Sequence, residues 1–220
     1  MDPIFIVGAS GHAKVVLDIV EREGRLRVVG LIDAVRHAGS THFGYEVLGS
    51  EADLPALCQQ MGVRACIVAI GDNAVRAKVA ARITELEAGL TFATAVHPAA
   101  ALARGVTVGA GSVVMAGAAI NSDAAMGQHC IVNTGARLDH DGVLEDFSSL
   151  GPGAVLGGNV RVGAFAHVGI GACVIHGATI GENAVVGAGA AVVRDVAANT
   201  VAYGVPARAI RQRQPGERYY

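Results

Sequence analysis

From Val96 onward every sixth residue is a large apolar side chain: Val96, Leu102, Val108, Val114, Ile120, Met126, Val132, Leu138, Leu144, Leu150, Leu156, Val162, Val168, Val174, Ile180, Val186 and Val192. Four places after each stands something small, as at Ala118, Ala124, Cys130, Ala136, Gly142, Ser148, Ala154 and Ala166. One place after, Gly recurs at 109, 127, 151, 157, 163, 169, 181 and 187. A six-residue period fits neither a helix nor a flat strand, but it suits a short strand and a corner wound repeatedly as a parallel solenoid. The large residue would fill the interior, the small one would fit where the wall bends, and Gly would permit backbone geometry costly for other residues.

The first ninety or so residues follow another pattern. The apolar run Ile4-Phe5-Ile6-Val7 breaks into Gly8-Ala9-Ser10-Gly11-His12-Ala13-Lys14, after which Val15, Val16, Ile19 and Val20 recur at helical spacing. A second run, Arg27 to Ile32, ends in Asp33; a third, Arg64 to Ile70, ends in Gly71-Asp72-Asn73 and leads into a helical stretch reaching about Ala88. Strands alternating with helices predict a small, Rossmann-like parallel sheet with a ligand site at the strands' C-terminal ends. The pattern divides the chain into an α/β domain over 1–92, a solenoid over 93–211 and a tail over 212–220.

Composition narrows the partners. Net charge is −2 and only 16% of the 220 residues are charged, so neither a nucleic-acid surface nor disorder is expected, and the partner should be a small molecule. The four Cys form no metal spacing and no cleavable signal opens the chain, which points to a reducing cytoplasm. Cys130 reads as a packed thiol in a small-residue place. Residues 105–122 are uncharged and long enough to suggest a membrane span, yet they keep the six-residue register and read as solenoid wall.

The loop at 8–14 matches neither common phosphate fingerprint. Still, two glycines three apart at a helix start leave backbone N–H groups free beside the positive end of the helix dipole, where a diphosphate can sit. Lys14 would add charge there or lie on the surface. Asp33 follows Gly11 by 22 residues, a separation at which an acid often accepts from ribose hydroxyls; a turn or helix cap is the equal alternative.

The hexads, closed by Tyr203-Gly204-Val205-Pro206-Ala207-Arg208, resemble those of the hexapeptide-repeat acyltransferases. That resemblance implies a left-handed parallel β-helix shaped as a three-sided prism, with three hexads per coil and, at the usual strand spacing, a height of roughly 27 Å. Joined to the N-terminal loop and Asp33, it extends over residues 3–210 to the bacterial sugar acyltransferases: sialic-acid O-acetyltransferases and N-acetyltransferases of nucleotide-linked 4-amino-6-deoxysugars. By that likeness, nucleotide-sugar contacts fall on Ser10, Gly11, His12, Asp33 and Asp72.

Acyl transfer needs a base beside the acceptor, and the chain offers eight His. Leu138-Asp139-His140-Asp141 is the only hexad with acids on both sides of a His, and it resembles the family's catalytic His followed by an acid. The resemblance implies His140 as general base, Asp141 as the residue that tunes it, and the backbone N–H of Gly158, one coil on, as oxyanion donor. Acetyl-CoA, the expected co-substrate, would lie in a groove between two prisms, its pantetheine amides meeting Ile170 and Ala188. Where relatives often carry a second His on the cofactor, this chain has Ser149. His176 recurs two coils beyond His140, about 10 Å away by strand spacing and too far to share the chemistry. The basic residues Arg208, Arg211 and Arg213 read as a solvated tail.

The reading that follows is N-acetylation of the 4-amino group of a nucleotide-linked 4-amino-4,6-dideoxysugar by a homotrimer with sites between subunits. O-acetylation of a sialic-acid-type sugar is the alternative. A metal site of the γ-carbonic-anhydrase kind needs three converging His, and His129, His140 and His167 occupy different hexad places, so no metal is expected. A non-catalytic scaffold of the same shape is the third reading.

Overall fold

The computed structural model describes residues 1–86 and 88–219. The chain forms two units, Met1–Pro98 and Ala99–Tyr220.

The first unit is built on β1 (Asp2–Val7), α1 (Gly11–Glu23), β2 (Leu26–Ile32), β3 (Thr41–His42), β4 (Tyr45–Gly49), α2 (Leu54–Met61), β5 (Ala65–Val68), α3 (Asn73–Glu85) and β6 (Thr91–Phe92). The sheet order is β3-β4-β2-β1-β5-β6, parallel throughout except for the β3–β4 hairpin. Strand β1 is central, and Ile4 to Val7 are at most 1% exposed, which is why this run is continuously apolar instead of alternating. Helix α1 buries Ala13, Val16, Leu17, Ile19 and Val20 and stops at Gly24, whose left-handed φ of 67° lets its N–H reach the Val20 carbonyl. Val15 is 38% exposed; Leu17 takes the core place the periodicity gave to it. Helix α3 ends at Glu85, short of Ala88. Gly8 permits a close approach to the chain just past β5: a Cβ there would lie 3.0 Å from the Ala69 carbonyl oxygen, at a φ of 108°.

The second unit is a left-handed parallel β-helix. Two-residue strands stack on three faces at intervals of one coil, so that Arg137 and Leu138 pair with Val155 and Leu156, Val143 and Leu144 with Arg161 and Val162, and Ser149 and Leu150 with His167 and Val168. The sixth-place residues form the column inside: from Val114 to Val192 none exceeds 4% exposure. Leu102 departs from this at 38%, because no coil of the prism lies beneath the first one. Residues 105–122 belong to this wall, and among the described residues no helix is long and apolar enough to cross a membrane.

The glycines one place after the column owe their identity to crowding, not to the dihedral freedom the sequence suggested. A Cβ on Gly109 would meet the Gly127 carbonyl oxygen at 2.3 Å, and one on Gly157 the His176 nitrogen at 2.8 Å. Left-handed backbone falls two places later, on Asp123, His129, Asp141, Phe147, Asn159, Phe165 and Asn183. Asn and Asp tolerate that geometry; Phe does so rarely. Here Phe147 stacks between His129, at 4.8 Å, and Phe165, at 5.3 Å, so ring contact offsets the backbone cost.

A hairpin of Thr200–Gly204 against Ala207–Gln212 caps the prism. Beyond it the chain folds back through Arg213 and Tyr219 instead of leaving as a solvated tail. Arg213 is 5% exposed and donates to the carbonyls of Asn183 and Glu217; Arg211 pairs with Glu217, and Tyr219 stacks on His167 at 4.2 Å. Arg208 alone of the three basic residues stays exposed without an ion pair among the described residues.

Candidate active site

At the corner following strand Arg137–Leu138, the chain turns through Asp139, His140 and Asp141. Asp139 accepts from the His140 N–H at 2.8 Å and from Nδ2 of Asn121, one coil earlier, at 2.6 Å. Both bonds hold its carboxyl below the usual range. Asp141 Oδ2 stands 2.8 Å from His140 Nδ1. That bond, with the nearby negative charges of Asp139 and Asp141, raises the His140 imidazole above its ordinary 6.5 despite some desolvation. With Nδ1–H donated to a carboxylate, Nε2 carries the lone pair, the tautomer a general base needs.

Nε2 of His140 lies over Gly158, where a Cβ would meet it at 2.4 Å. The Gly158 N–H makes no hydrogen bond among the described residues, whereas its carbonyl accepts from Gly177. An imidazole nitrogen and a residue with an unspent backbone donor therefore lie side by side. The side-chain-free surface at Gly158 also corrects the position of His176: the His140 and His176 ring centroids are 6.2 Å apart, not 10 Å, because the His140 ring lies over the glycine of the intervening coil.

Ile170 and Ala188 sit one coil apart at the corner on the other side of the 155–156 face. Both are exposed, Ile170 at 61%, and neither N–H has a partner among the described residues. Ser149, expected at the cofactor, is 3% exposed, and its hydroxyl stands 2.8 Å from Nδ1 of His167. His129, His140 and His167 stand at separate places on the wall, and no group of three potential ligands able to hold a metal ion occurs among the described residues.

In the first unit, the C-terminal ends of β1, β2 and β5 converge on the loop at 8–14. Ser10 precedes α1 with its hydroxyl making no cap bond, and Gly11 is exposed with open space where a Cβ would be. The first-turn N–H groups thus remain available, as at other anion-binding helix starts. His12 is held down at about 4, chiefly by burial and secondarily by the charge of Arg76, and its Nε2 has no partner. Two groups went unnoticed in the sequence. Arg36 donates to the Ala9 carbonyl at 3.0 Å, and His42 is lowered by burial and by the charges of Arg36 and Lys14. Neither lies in a motif; the β3–β4 hairpin and the turn before it bring them to the loop. Lys14 rests over the Phe43 ring, 4.2 Å from its centroid.

Both acids are tied to backbone N–H groups. Asp33 receives the N–H groups of Ala9, Val35 and Arg36, all within 2.9 Å, and so orders the loop. Asp72, expected at the ligand, is 8% exposed and caps α3 by accepting from Val75 at 2.9 Å.

Residues 3–83 match the family model described as the PglD N-terminal domain. Over 96% of this chain and 98% of its own, PerB from Caulobacter crescentus, solved with CoA and GDP-perosamine, is 40% identical with a TM-score of 0.88. The acetyltransferase domain of PglB from Neisseria gonorrhoeae, solved with acetyl coenzyme A, is 32% identical with a TM-score of 0.86, covering 94% of this chain and 98% of that one. WeeI from Acinetobacter baumannii is 27% identical over 96% of this chain and all of its own, with a TM-score of 0.86. A comparison with curated proteins returned no match. An α/β unit of the PglD type, a hexad prism and identity over nearly the full length of these solved relatives together assign the chain: it belongs to the nucleotide-linked aminosugar N-acetyltransferases.

Proposed function

We propose that the protein transfers the acetyl group of acetyl-CoA to the 4-amino group of a nucleotide-linked 4-amino-4,6-dideoxysugar, the amine attacking the thioester directly with His140 as base. One observation carries this reading: His140, oriented by Asp141 at 2.8 Å, holds Nε2 beside the unspent N–H of Gly158. Base and oxyanion donor are then in place before substrate arrives, so neither must reorganise as charge develops. The attack makes the C–N bond, Gly158 receives the oxyanion, and collapse expels the CoA thiolate. The solved relative with GDP-perosamine and CoA, and the domain with acetyl-CoA, support the same two ligands here.

The nucleotide end fits the first unit. Ser10, Gly11 and His12 present free first-turn groups, Lys14 and Arg36 gather positive charge near them and hold His42 toward its neutral form, and Asp33 fixes the loop that carries them. Ile170 and Ala188 would meet pantetheine amides with their unpaired N–H groups. They stand at a different corner from His140, with a face of the prism between. A cofactor lying along one corner therefore reaches His140 most simply from a neighbouring subunit, which supports a homotrimer with three shared sites.

The test is incubation with acetyl-CoA and GDP- and UDP-linked 4-aminosugars, following free thiol and the acetylated product. Thiol release with an amine acceptor supports the reading. Turnover only with a sialic acid or another hydroxyl acceptor overturns it in favour of O-acetylation.

A further inference from the structure

We infer that Tyr219, carried back onto the prism by the C-terminal segment, is a binding residue for the pantetheine arm of acetyl-CoA. This rests on the acetyl-CoA-dependent activity proposed above, with the cofactor lying along the edge that carries Ile170 and Ala188.

Chain ends are loose unless something ties them down, and this one is tied at several points. The Arg213 N–H donates to the Asn199 carbonyl at 2.9 Å, and its guanidinium donates to the Asn183 carbonyl at 3.0 Å. Gln214-Pro215-Gly216-Glu217 then makes a tight turn: Pro stands second, Gly216 third at a φ of 79°, and the Glu217 N–H donates to the Gln214 carbonyl at 3.1 Å. The Glu217 carboxylate closes the turn onto Arg211 at 2.6 Å. The turn reverses the chain and sets Tyr219 on His167. Their ring centroids are 4.2 Å apart and the planes differ by 17°. The Ser149 hydroxyl, 2.8 Å from Nδ1, orients the His167 ring beneath, and the Arg213 guanidinium lies 5.9 Å from the centre of the Tyr219 ring. The phenol ring is thus held at one spot and remains half-exposed.

That spot adjoins the edge. Strand His167–Val168 runs into Ile170 three residues on, so the stacked pair stands within about 10 Å of the Ile170 N–H along the chain. The N–H groups of Ile170 and Ala188 are unspent among the described residues. The outward places of this face are Ile131, Ser149, His167 and Val185, with no acid, Lys or Arg, whereas the other two faces carry Arg137 and Arg161 at the corresponding places. Backbone donors beside a neutral, aromatic surface suit a ligand that alternates amide and hydrocarbon. Pantetheine is such a ligand. Its amide carbonyls accept from donors spaced by about 4.8 Å, and its methylene and methyl groups pack on the open side of the phenol ring. A sugar or a diphosphate would find too few polar partners on this face.

The test compares Tyr219→Ala and Tyr219→Phe with the unaltered protein, using whichever acceptor that protein acetylates. Acetyl-CoA and S-acetylpantetheine serve in turn as donor, CoA binding is followed by calorimetry without acceptor, and melting temperatures are recorded. Tyr219→Ala should raise the KM for acetyl-CoA and the Kd for CoA about 3- to 10-fold, leaving kcat and the acceptor KM within about twofold. The same factor should appear with S-acetylpantetheine, because the contact is to the arm. Tyr219→Phe keeps the ring and should stay within about twofold of the unaltered protein. An unchanged or lowered KM for acetyl-CoA in Tyr219→Ala would overturn the inference, whether or not the melting temperature falls. So would a loss that vanishes with S-acetylpantetheine, a loss shared equally by the acceptor KM, or a Tyr219→Phe protein as weak as Tyr219→Ala. Failure of the unaltered protein to bind CoA, or to release thiol from acetyl-CoA with any acceptor, would instead sink the functional reading beneath it.

Discussion

Asp141 grips Nδ1 of His140 at 2.8 Å from a backbone position with a φ of 56°. The left-handed turn is what swings a carboxylate back onto the ring of the preceding residue, and Asp is among the few side chains that adopt it at small cost. Replacement by Asn keeps that backbone and a neutral hydrogen-bond acceptor while removing the charge. Asp141→Asn should lower kcat about 10- to 100-fold with little effect on KM, as measured by thiol release.

The pH profile follows from the same pair. A base works in its neutral form, and the bond to Asp141, aided by Asp139, raises His140 above 6.5. The acid limb of kcat should therefore lie above pH 6.5 in the unaltered protein and move to lower pH in Asp141→Asn, under a reduced plateau. A kcat–pH series on both proteins checks the direction.

Gly158 is constrained by what sits over it and not by its dihedrals. Gly158→Ala would place a methyl 2.4 Å from the current position of Nε2. The ring must move, so activity should fall about 100-fold or more while the melting temperature changes little. Activity assays paired with circular dichroism melts separate the two effects.

His12 provides a stability prediction in the first unit. Its folded-state value of about 4 lies below the ordinary 6.5, mainly through burial, so between these values the unfolded chain binds more protons. The contribution is complete above pH 6.5 and is lost as pH falls toward 4. Melting curves across that range should show a steeper acid loss in the unaltered protein than in His12→Gln.

In the prism, Leu150 is wholly buried in the central column. Leu150→Ala should destabilise by about 2–5 kcal/mol, from lost burial and the cavity left behind. Urea unfolding monitored by circular dichroism measures it.

The sequence displays the prism unusually well because one residue per hexad must be large and inward, and the wall repeats that demand from Val114 to Val192 without interruption. The glycines are visible too, though their cause is not: Gly109 is required by the Gly127 carbonyl of the next coil, which a single strand of text does not bring near it. The same limit hides the convergence of Lys14, Arg36 and His42, the approach of His176 to His140, and the folding back of Arg213 and Tyr219. Each joins residues whose partners are set by side-chain lean or by an irregular turn, for which no period exists. The 2.8 Å contact between the Ser149 hydroxyl and His167 on the next coil is hidden in the same way.

Pro152 sits at the corner place that Ile170 and Ala188 occupy on the next two coils, and it lacks the N–H that they leave unspent. Along that edge the prism is a ladder of backbone rungs spaced by about 4.8 Å, with the rung at 152 sawn off. An extended chain laid along that edge would meet a backbone donor at 170 and at 188 and none at 152.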